Sequence, residues 1–332
     1  MTTLPHPVRS PLPLNARSAY KRGMTNPLRI GTRGSPLALA QAYQTRDRLQ
    51  AAHPELRDDG AIEIVVIKTT GDRIQDRTLA EAGGKGLFTK EIEDDLAAGR
   101  IDLAVHSMKD VPTWLPDGLE MSCLLPREDP RDAWFSRSGA TLDDLPAGSV
   151  VGTASLRRQA QVLARRPDLT VIPLRGNVQT RLAKLDEGQV DATMLALAGL
   201  RRLGLTDRIT AVIEPEVMLP AVAQGAIGIE IRARDERTRA LLAPLNCAET
   251  AVRVEAERAL LAELDGSCRT PIAALARLEA DGALALEALV ASPAGRQIFR
   301  ARRTGAPRDA AAMGRDAGAE LKADLPADFF TS

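Results

Sequence analysis

Short β-type runs alternate with helical patterns from residue 28 to residue 230, and this alternation restricts the possible folds more than any other feature of the sequence. Eight apolar runs predict strands near residues 28–32, 62–68, 101–105, 119–124, 150–153, 170–174, 192–196 and 227–231. Helical patterns lie between them, near residues 36–51, 87–98, 155–165 and 177–187. Strands and helices that alternate in this way form layered folds, so the sequence predicts an α/β protein.

Two charged, proline-containing segments interrupt the alternation, at residues 127–132 and 214–220. Such segments are typical of boundaries between folded units. Because the chain would cross between the same two lobes at both places, we expect a hinge there. The sequence therefore predicts two lobes, formed by residues 25–126 with 221–243 (domain 1) and by residues 127–220 (domain 2).

After Asn246 the pattern changes. A helix capped by Thr250 and ending near Leu264 is followed by apolar β runs at 272–278 and 283–291, and then by a helix at about 308–322. This order predicts a separate small α+β unit, residues 244–332 (domain 3). Residues 1–24 contain four prolines and no acidic residue, and we interpret them as a disordered extension without a signal peptide.

The composition excludes several classes of protein. Lys and Arg together number 44, as do Asp and Glu, so no net charge attracts nucleic acid or a membrane surface. Aromatic residues make up only 3% of the chain, too few to stack the bases of a single strand. Three widely spaced cysteines and three histidines without ligand spacing predict no metal site and indicate a reducing compartment. Without an apolar run of transmembrane length, we expect a soluble, cytoplasmic protein.

Lys109 and Asp110 follow an apolar run and precede Pro112, which disfavours a helix at this point. The pair should therefore lie on a turn at the C-terminal end of a strand, the edge where open α/β sheets bind ligands. An ordinary turn with solvated charges is the alternative interpretation. His106, at the same strand end, is interpreted as a structural residue that supports its neighbours.

A basic segment follows in the second lobe. Between Val150 and Lys184 there are seven basic residues and one acidic residue. Arg157 and Arg158 fall near the start of a predicted helix, where the helix dipole disfavours cations unless an anion is present. Guanidinium groups pair bidentately with carboxylates, so Arg157, Arg158, Arg175 and Arg181 are candidates for binding an acidic ligand, and a solvated face is the alternative.

Two cysteines are candidates for a reactive thiol. Cys268 lies in a loop of small residues beside Arg269, whose charge would lower the thiol pKa. Cys247 precedes a helix start and could be activated by the helix dipole. Cys123 lies in an apolar strand and is predicted to be inert. The residues alone do not decide between Cys268 and Cys247.

Nine motifs together identify a family. They run in order as TRGSPLALAQ (32–41), GGKGLFTKEIE (83–93), HSMKDVP (106–112), REDPRDA (127–133), GTASLRRQ (152–159), LRGNVQTRL (174–182), LAGLRRLGL (197–205), LPAVAQGAIGIE (219–230) and GSCRTPI (266–272). The series resembles that of the porphobilinogen deaminases, also called hydroxymethylbilane synthases. The resemblance extends from about residue 27 into the C-terminal region.

The resemblance implies two lobes of periplasmic-binding-protein type with a cleft between them, and a small C-terminal α+β domain. It implies a monomeric transferase of tetrapyrrole and haem biosynthesis, which condenses four porphobilinogens head to tail with loss of ammonia. The growing polypyrrole chain is built on a dipyrromethane cofactor joined to Cys268 by a thioether, and water then releases hydroxymethylbilane. Nucleic acid, membrane and metal have no part in this reaction.

The resemblance also assigns roles to residues. It makes Asp110 and Lys109 catalytic, and it makes Cys268, Lys109, Asp110, Ser155, Arg157 and Arg158 cofactor-binding. The implied substrate-binding residues are Arg33, Ser35, Lys85, Thr153, Arg175, Arg181, Arg202 and Gln224. Lys85 lies in a glycine-rich run that resembles a loop covering the cleft. Many members of the family have a lysine where this chain has Glu81, so no substrate contact is assigned to Glu81.

A protein of another class would share some of these features. A non-catalytic, two-lobed solute-binding protein would also have a hinge and arginines in its cleft. It would give no role to Cys268 or Asp110. The mass of the purified protein separates the two interpretations, because an attached dipyrromethane adds to the mass of the chain.

Overall fold

The computed structural model describes residues 26–73, 86–265 and 270–326 together with Phe329. Its strands are β1 (Leu28–Arg33), β2 (Ile62–Ile67), β3 (Leu103–Ser107), β4 (Leu119–Leu124), β5 (Asp132–Ser136), β6 (Val150–Gly152), β7 (Thr170–Ile172), β8 (Ala192–Ala196), β9 (Ala211–Ile213), β10 (Ile227–Arg232), β11 (Ile272–Leu278), β12 (Leu284–Ala291) and β13 (Ile298–Gly305). Its α-helices are α1 (Pro36–Ala52), α2 (Thr70–Arg73), α3 (Lys90–Ala97), α4 (Leu156–Arg165), α5 (Val178–Asp186), α6 (Leu197–Leu203), α7 (Glu236–Leu242), α8 (Ala248–Glu263) and α9 (Ala310–Asp324).

Two five-stranded sheets form the two lobes. The first has the order β2-β1-β3-β10-β4, and the second has the order β7-β6-β8-β5-β9. In the first, β1 pairs in parallel with β2 and β3, while β10 is antiparallel to β3 and β4. In the second, β6 is parallel to β7 and β8, while β5 is antiparallel to β8 and β9. The α/β class predicted from the alternation is therefore confirmed.

The chain crosses between the sheets twice, and the two crossing segments touch. Glu128 N–H donates to the Gly225 carbonyl over 3.2 Å, and Arg127 Nε donates to the Gln224 carbonyl over 2.9 Å. Gly225 has a φ of +90°, and a Cβ there would lie 2.3 Å from the Glu128 carbonyl oxygen. Only glycine fits this approach without moving the backbone. The domain limits given above stay a prediction, although the two crossings fall close to them.

The C-terminal unit is a third, antiparallel sheet with the order β11-β12-β13, covered by α8 and α9. Its apolar core is continuous with the first lobe, because Met108 and Val111 pack in the same cluster as Val254 and Leu260. Glu257 of α8 also forms an ion pair with Arg127, 2.6 Å apart, and both side chains are almost fully buried. The unit is therefore held against the first crossing segment and against the segment that follows β3.

The helix starts are set by short polar side chains. Ser35 caps α1, where its Oγ accepts from Ala38 N–H, and Pro36 occupies the first helical position, as expected. Ser155 caps α4 by accepting from Arg158 N–H over 3.4 Å. The prediction that Thr250 caps a helix is wrong. Cys247 is the N-cap of α8, and the Thr250 hydroxyl accepts instead from Arg127 N–H over 2.9 Å.

Several elements escaped the sequence analysis. Strands β5, β9 and β13 and helices α2, α6 and α7 were not predicted. The first two strands adjoin the proline-containing segments interpreted as boundaries, and β13 contains three arginines that obscure its apolar side. Among the described residues, no helix is both long and apolar enough to cross a membrane.

Candidate active site

The site is built at the C-terminal end of β3. The chain leaves this strand in a 3-10 turn, Met108–Asp110, here named the Asp110 turn. Met108 N–H donates to the Ala226 carbonyl over 3.1 Å, and Val111 N–H closes the turn on the Met108 carbonyl over 3.3 Å. The prediction that Lys109 and Asp110 lie on a turn at a strand end is confirmed.

Asp110 faces a small cleft cavity in the first lobe. Arg33 and Ser35 line the same cavity from the end of β1 and the start of α1, together with His106 and Phe88. The Arg33 guanidinium carbon lies 4.2 Å from the centre of the Phe88 ring. The described residues donate no hydrogen bond to the carboxylate of Asp110, which is one of the residues that line this cavity.

Lys109 is partly buried beside cations of the second lobe. Burial, helped by the charges of Arg158 and Arg181, lowers its pKa to about 8, although Asp110 and Asp132 act in the opposite direction. Its Nζ donates to Gln224 Oε1 over 3.4 Å. Burial and Arg158 likewise lower the pKa of Arg181 to about 10, while Asp110 raises it. The two lobes therefore bring their cations to one place.

Arg157 and Arg158 already have an anion, which corrects the argument made from their position. Asp132 of β5, fully buried, accepts from Arg157 Nη2 and from Arg158 Nη2, each over 2.7 Å. The remaining Nη1 atoms donate to the carbonyls of Leu219 and Met194. Burial alone would raise the pKa of Asp132, but the two guanidinium groups hold it far below its usual range. A helix-start arginine here does not by itself indicate a ligand.

Asp132 is the residue that sequence reasoning missed. It lay in the REDPRDA segment, which was interpreted only as a boundary. A signal was present, since an aspartate directly before the apolar run Ala133-Trp134-Phe135 is a carboxylate at the start of a buried strand. Gln224 completes this network, because its Nε2 donates to Asp132 Oδ1 over 2.9 Å and to the Pro130 carbonyl over 2.7 Å. Its amide oxygen is the group that meets Lys109.

The other predicted residues of the second lobe make contacts of their own. Thr153 is buried, and its Oγ1 accepts from Ser155 N–H over 3.2 Å. Arg202 Nη2 donates to the Gly225 carbonyl over 2.8 Å, and burial lowers the pKa of Arg202 to about 10 despite the charge of Glu128. Arg181 Nε donates to the Asn177 carbonyl over 3.4 Å. Arg175 follows β7 on the segment leading to α5.

Four arginines of the second lobe have buried guanidinium nitrogens without a hydrogen-bond partner among the described residues. Within the described part of the chain, Arg175 Nε and Nη2 and the Nε atoms of Arg157, Arg158 and Arg202 are buried and make no hydrogen bond. A buried donor left unpaired costs free energy, and a carboxylate would satisfy several of these donors at once. A group that carries several carboxylates therefore fits this site.

His106 and the cysteines were also singled out in the sequence, and the structure shows the surroundings of His106, Cys123 and Cys247. His106 is buried, and its Nε2 lies 2.9 Å from Oε2 of the fully buried Glu230. Burial raises the pKa of Cys123 to about 12. Burial also acts to raise the pKa of Cys247, but hydrogen bonds from Thr250 and Glu249 outweigh it and lower that pKa. Cys268, Lys85 and Glu81 lie outside the described residues.

Known proteins resemble this chain over nearly its whole length. Residues 28–240 match the family model "Porphobilinogen deaminase, dipyromethane cofactor binding domain", and residues 251–323 match "Porphobilinogen deaminase, C-terminal domain". The porphobilinogen deaminase of Paracoccus denitrificans is 59% identical over 305 residues, which cover 92% of this chain and 96% of that protein. The chloroplastic porphobilinogen deaminase of Oryza sativa is 56% identical over 329 residues, covering 98% of this chain and 91% of the relative.

Among solved structures, the chain is similar to the periplasmic VFT2 domain of Bordetella pertussis BvgS, with a TM-score of 0.39 and 16% identity over 71% of this chain and 92% of that one. A TRAP periplasmic solute-binding protein from Desulfovibrio salexigens gives a TM-score of 0.39 and 10% identity, covering 67% of this chain and 72% of that one. The two family models cover most of the chain. The identities of 56% and 59% to the two porphobilinogen deaminases are well above those of chance similarity. The chain belongs to the porphobilinogen deaminase family.

Proposed function

We propose that this chain is a porphobilinogen deaminase, a transferase that joins four porphobilinogens head to tail with loss of ammonia and releases hydroxymethylbilane by hydrolysis. One observation at the site supports this proposal in addition to family membership. The Asp110 carboxylate, which accepts no hydrogen bond from the described residues, lies at a strand end next to Lys109, and its charge also acts on Arg181 of the second lobe. We further propose that the enzyme acts as a cytoplasmic monomer.

The reaction accounts for the charges of the cleft. Porphobilinogen carries an acetate and a propionate, so each added unit brings two carboxylates. The unpaired nitrogens of Arg175 and Arg202, with Lys109 and Arg181, would bind them. Arg33, Ser35 and Thr153 would complete the substrate site, with Lys85 over the cleft. Arg157 and Arg158 contribute positive charge and a free Nε each, because their other nitrogens are engaged within the protein.

Asp110 would act on the pyrrole nitrogen. Loss of ammonia leaves positive charge on that nitrogen, and a fixed carboxylate close by stabilises charge developing there. The same carboxylate would accept the pyrrole N–H before the step and orient the ring. The Asp110 turn keeps the carboxylate at one place, so the same residue would serve each of the four condensations.

The cofactor in this family is a dipyrromethane, and we propose that a thioether to Cys268 holds it. When bound, it supplies the pyrrole carbon that attacks the activated substrate. Its own carboxylates would be held by Lys109, by the Ser155 hydroxyl and by the charge of Arg157 and Arg158. Asp110 would contact its terminal ring.

Cys268→Ser should remove the attached pyrroles, and Cys247→Ser should retain them. Cys247 is a strict control because hydrogen bonds from Thr250 and Glu249 outweigh burial and lower the pKa of its thiol. Intact mass of the purified proteins and the colour formed with acidic dimethylaminobenzaldehyde measure the attachment. Pyrrole retained by Cys268→Ser would move the attachment to another residue. A wild-type protein with only the mass of the chain would favour a solute-binding protein instead.

The KM for porphobilinogen should rise as pH increases above about 8. The pKa of Lys109 lies well below the ordinary lysine value, so above about pH 8 the free site loses a cation that binds carboxylate. Lys109→Arg stays charged through this range, and its KM should change less with pH, even if its value at pH 7 is higher. Steady-state KM from pH 7 to 9.5 tests this, and parallel curves for the two proteins would exclude Lys109 as the titrating group.

A further inference from the structure

Arg258 of α8 reaches from the C-terminal unit to the segment directly after Asp110. Its Nη1 donates to the Val111 carbonyl over 3.0 Å, and its Nη2 donates to the Pro112 carbonyl over 2.5 Å. One guanidinium thus binds two consecutive carbonyl groups. A lysine has no such fork and could satisfy one of the two carbonyls with good geometry.

Among the described residues, Arg258 makes hydrogen bonds to these two carbonyls and no ion pair. Burial lowers its pKa, and in the described ranges no carboxylate lies within ion-pair distance of it. The neighbouring Glu257 is already engaged by Arg127 and by the N–H groups of Ala223 and Ala276. Because the partly buried Arg258 guanidinium donates to both the Val111 and the Pro112 carbonyls, it fixes the geometry of the backbone at these two residues.

That backbone determines where the Asp110 carboxylate lies. Because the described residues donate no hydrogen bond to the carboxylate, the Asp110 turn itself must hold it in place. The N-terminal side of the turn is fixed by Met108 N–H on the Ala226 carbonyl. The C-terminal side is fixed by Arg258 and by packing of Val111 against the core of the C-terminal unit.

We propose that Arg258 is a positioning residue for the reaction, which locks the Asp110 turn onto α8. The inference rests on the role proposed above for Asp110. Arg258 does not line the cavity beside Asp110, so it acts through the turn rather than on the substrate.

The test compares holoenzymes with Arg258→Gln, Arg258→Lys and Arg253→Gln. Arg253 lies on the same helix, and its Nε donates to the Glu249 carbonyl of that helix, so its replacement is a matched control. We expect Arg258→Gln to slow single-turnover ammonia release at least about tenfold, since small misplacements of a catalytic group are costly. KM should stay within about twofold, Arg258→Lys should recover part of the rate, and Arg253→Gln should match the wild type.

A double-mutant cycle with Asp110→Glu separates positioning from a general structural effect. If Arg258 acts through Asp110, Arg258→Gln should cost much less in the Asp110→Glu background, where the carboxylate is already displaced. Additive losses, or a wild-type rate in Arg258→Gln, would overturn the inference. Should Arg258→Gln not fold, Arg258→Lys carries the same cycle. A wild-type rate in Asp110→Asn would instead overturn the role of Asp110, and this inference with it.

Discussion

Asp110→Asn is expected to lower single-turnover ammonia release about a hundredfold or more while leaving the fold and the attached dipyrromethane intact. The substitution keeps the shape of the side chain and removes its charge. Preorganised electrostatic groups contribute on this scale, because they are already in place when charge develops. The carboxylate accepts no hydrogen bond from the described residues, so the amide leaves no partner in that part of the chain unpaired.

The measurement uses primer-loaded enzyme, mixed once with porphobilinogen and followed by ammonia release. Asp110→Glu is the companion variant, since it retains the charge but displaces it by about one methylene, and it should turn over slowly rather than stop. Mass spectrometry of both proteins checks that the primer is present. Ammonia release by Asp110→Asn at the wild-type rate would leave Asp110 as a structural turn residue.

Asp132→Asn is expected to destabilise the second lobe by about 3–5 kcal/mol, the usual cost of breaking a buried ion pair from one side. Asp132 is fully buried and is the anion for both Arg157 and Arg158. Its replacement would leave two buried guanidinium groups beside each other without a counter-ion. Urea unfolding of the holoenzyme, with Asp143→Asn as a control for an exposed ion pair to Arg165, measures the difference.

The ion pairs of Asp132 with Arg157 and Arg158 also make the stability of the fold depend on pH. The pKa of Asp132 is lower in the folded than in the unfolded chain, so its contribution is complete above the unfolded value near 3.8 and is lost as pH falls below it. Wild-type stability should therefore fall more steeply below about pH 4 than that of Asp132→Asn. Two results would contradict this role of Asp132. One is an equal dependence of stability on pH in the two proteins, and the other is a loss of unfolding free energy below about 1 kcal/mol in Asp132→Asn at pH 7.

The Asp132 network also changes what is expected of the arginines. The position of Arg157 and Arg158 at a helix start indicated bound anions. Since each guanidinium binds Asp132 and a backbone carbonyl, replacement by Leu now predicts a loss of stability together with any loss of cofactor binding. Activity of such variants is informative only beside a measurement of folding.

The sequence was most informative where one local pattern determines the outcome. Ser35 followed by Pro36 predicts the start of α1, and the apolar run before Lys109 predicts a strand that ends in a turn. Both were confirmed because capping and the strand pattern depend on neighbouring residues. The motif series identified the family for the same reason, since each motif is local.

The sequence was least informative where distant segments meet. Nothing near Arg157 indicates Asp132, which is 25 positions away, and nothing near Val111 indicates Arg258, 147 positions away. Strand β5 was hidden because it follows a charged, proline-containing segment. Thr250 was assigned as a cap because its residue type suits one, whereas its hydroxyl accepts a hydrogen bond from Arg127 N–H. The roles of the individual site residues, Cys268 above all, stay predictions.

Strand β10 lies between β3 and β4, although it follows the entire second sheet in the sequence. During synthesis the first sheet therefore lacks an internal strand until residue 232 has left the ribosome, whereas all five strands of the second sheet end by Ile213. We expect the second lobe to acquire structure first. Until β10 is available, the edges of β3 and β4 that pair with it stay unpaired. Such edges invite aggregation and chaperone binding, so a chain interrupted between residues 213 and 227 should be far less soluble than one completed through β10.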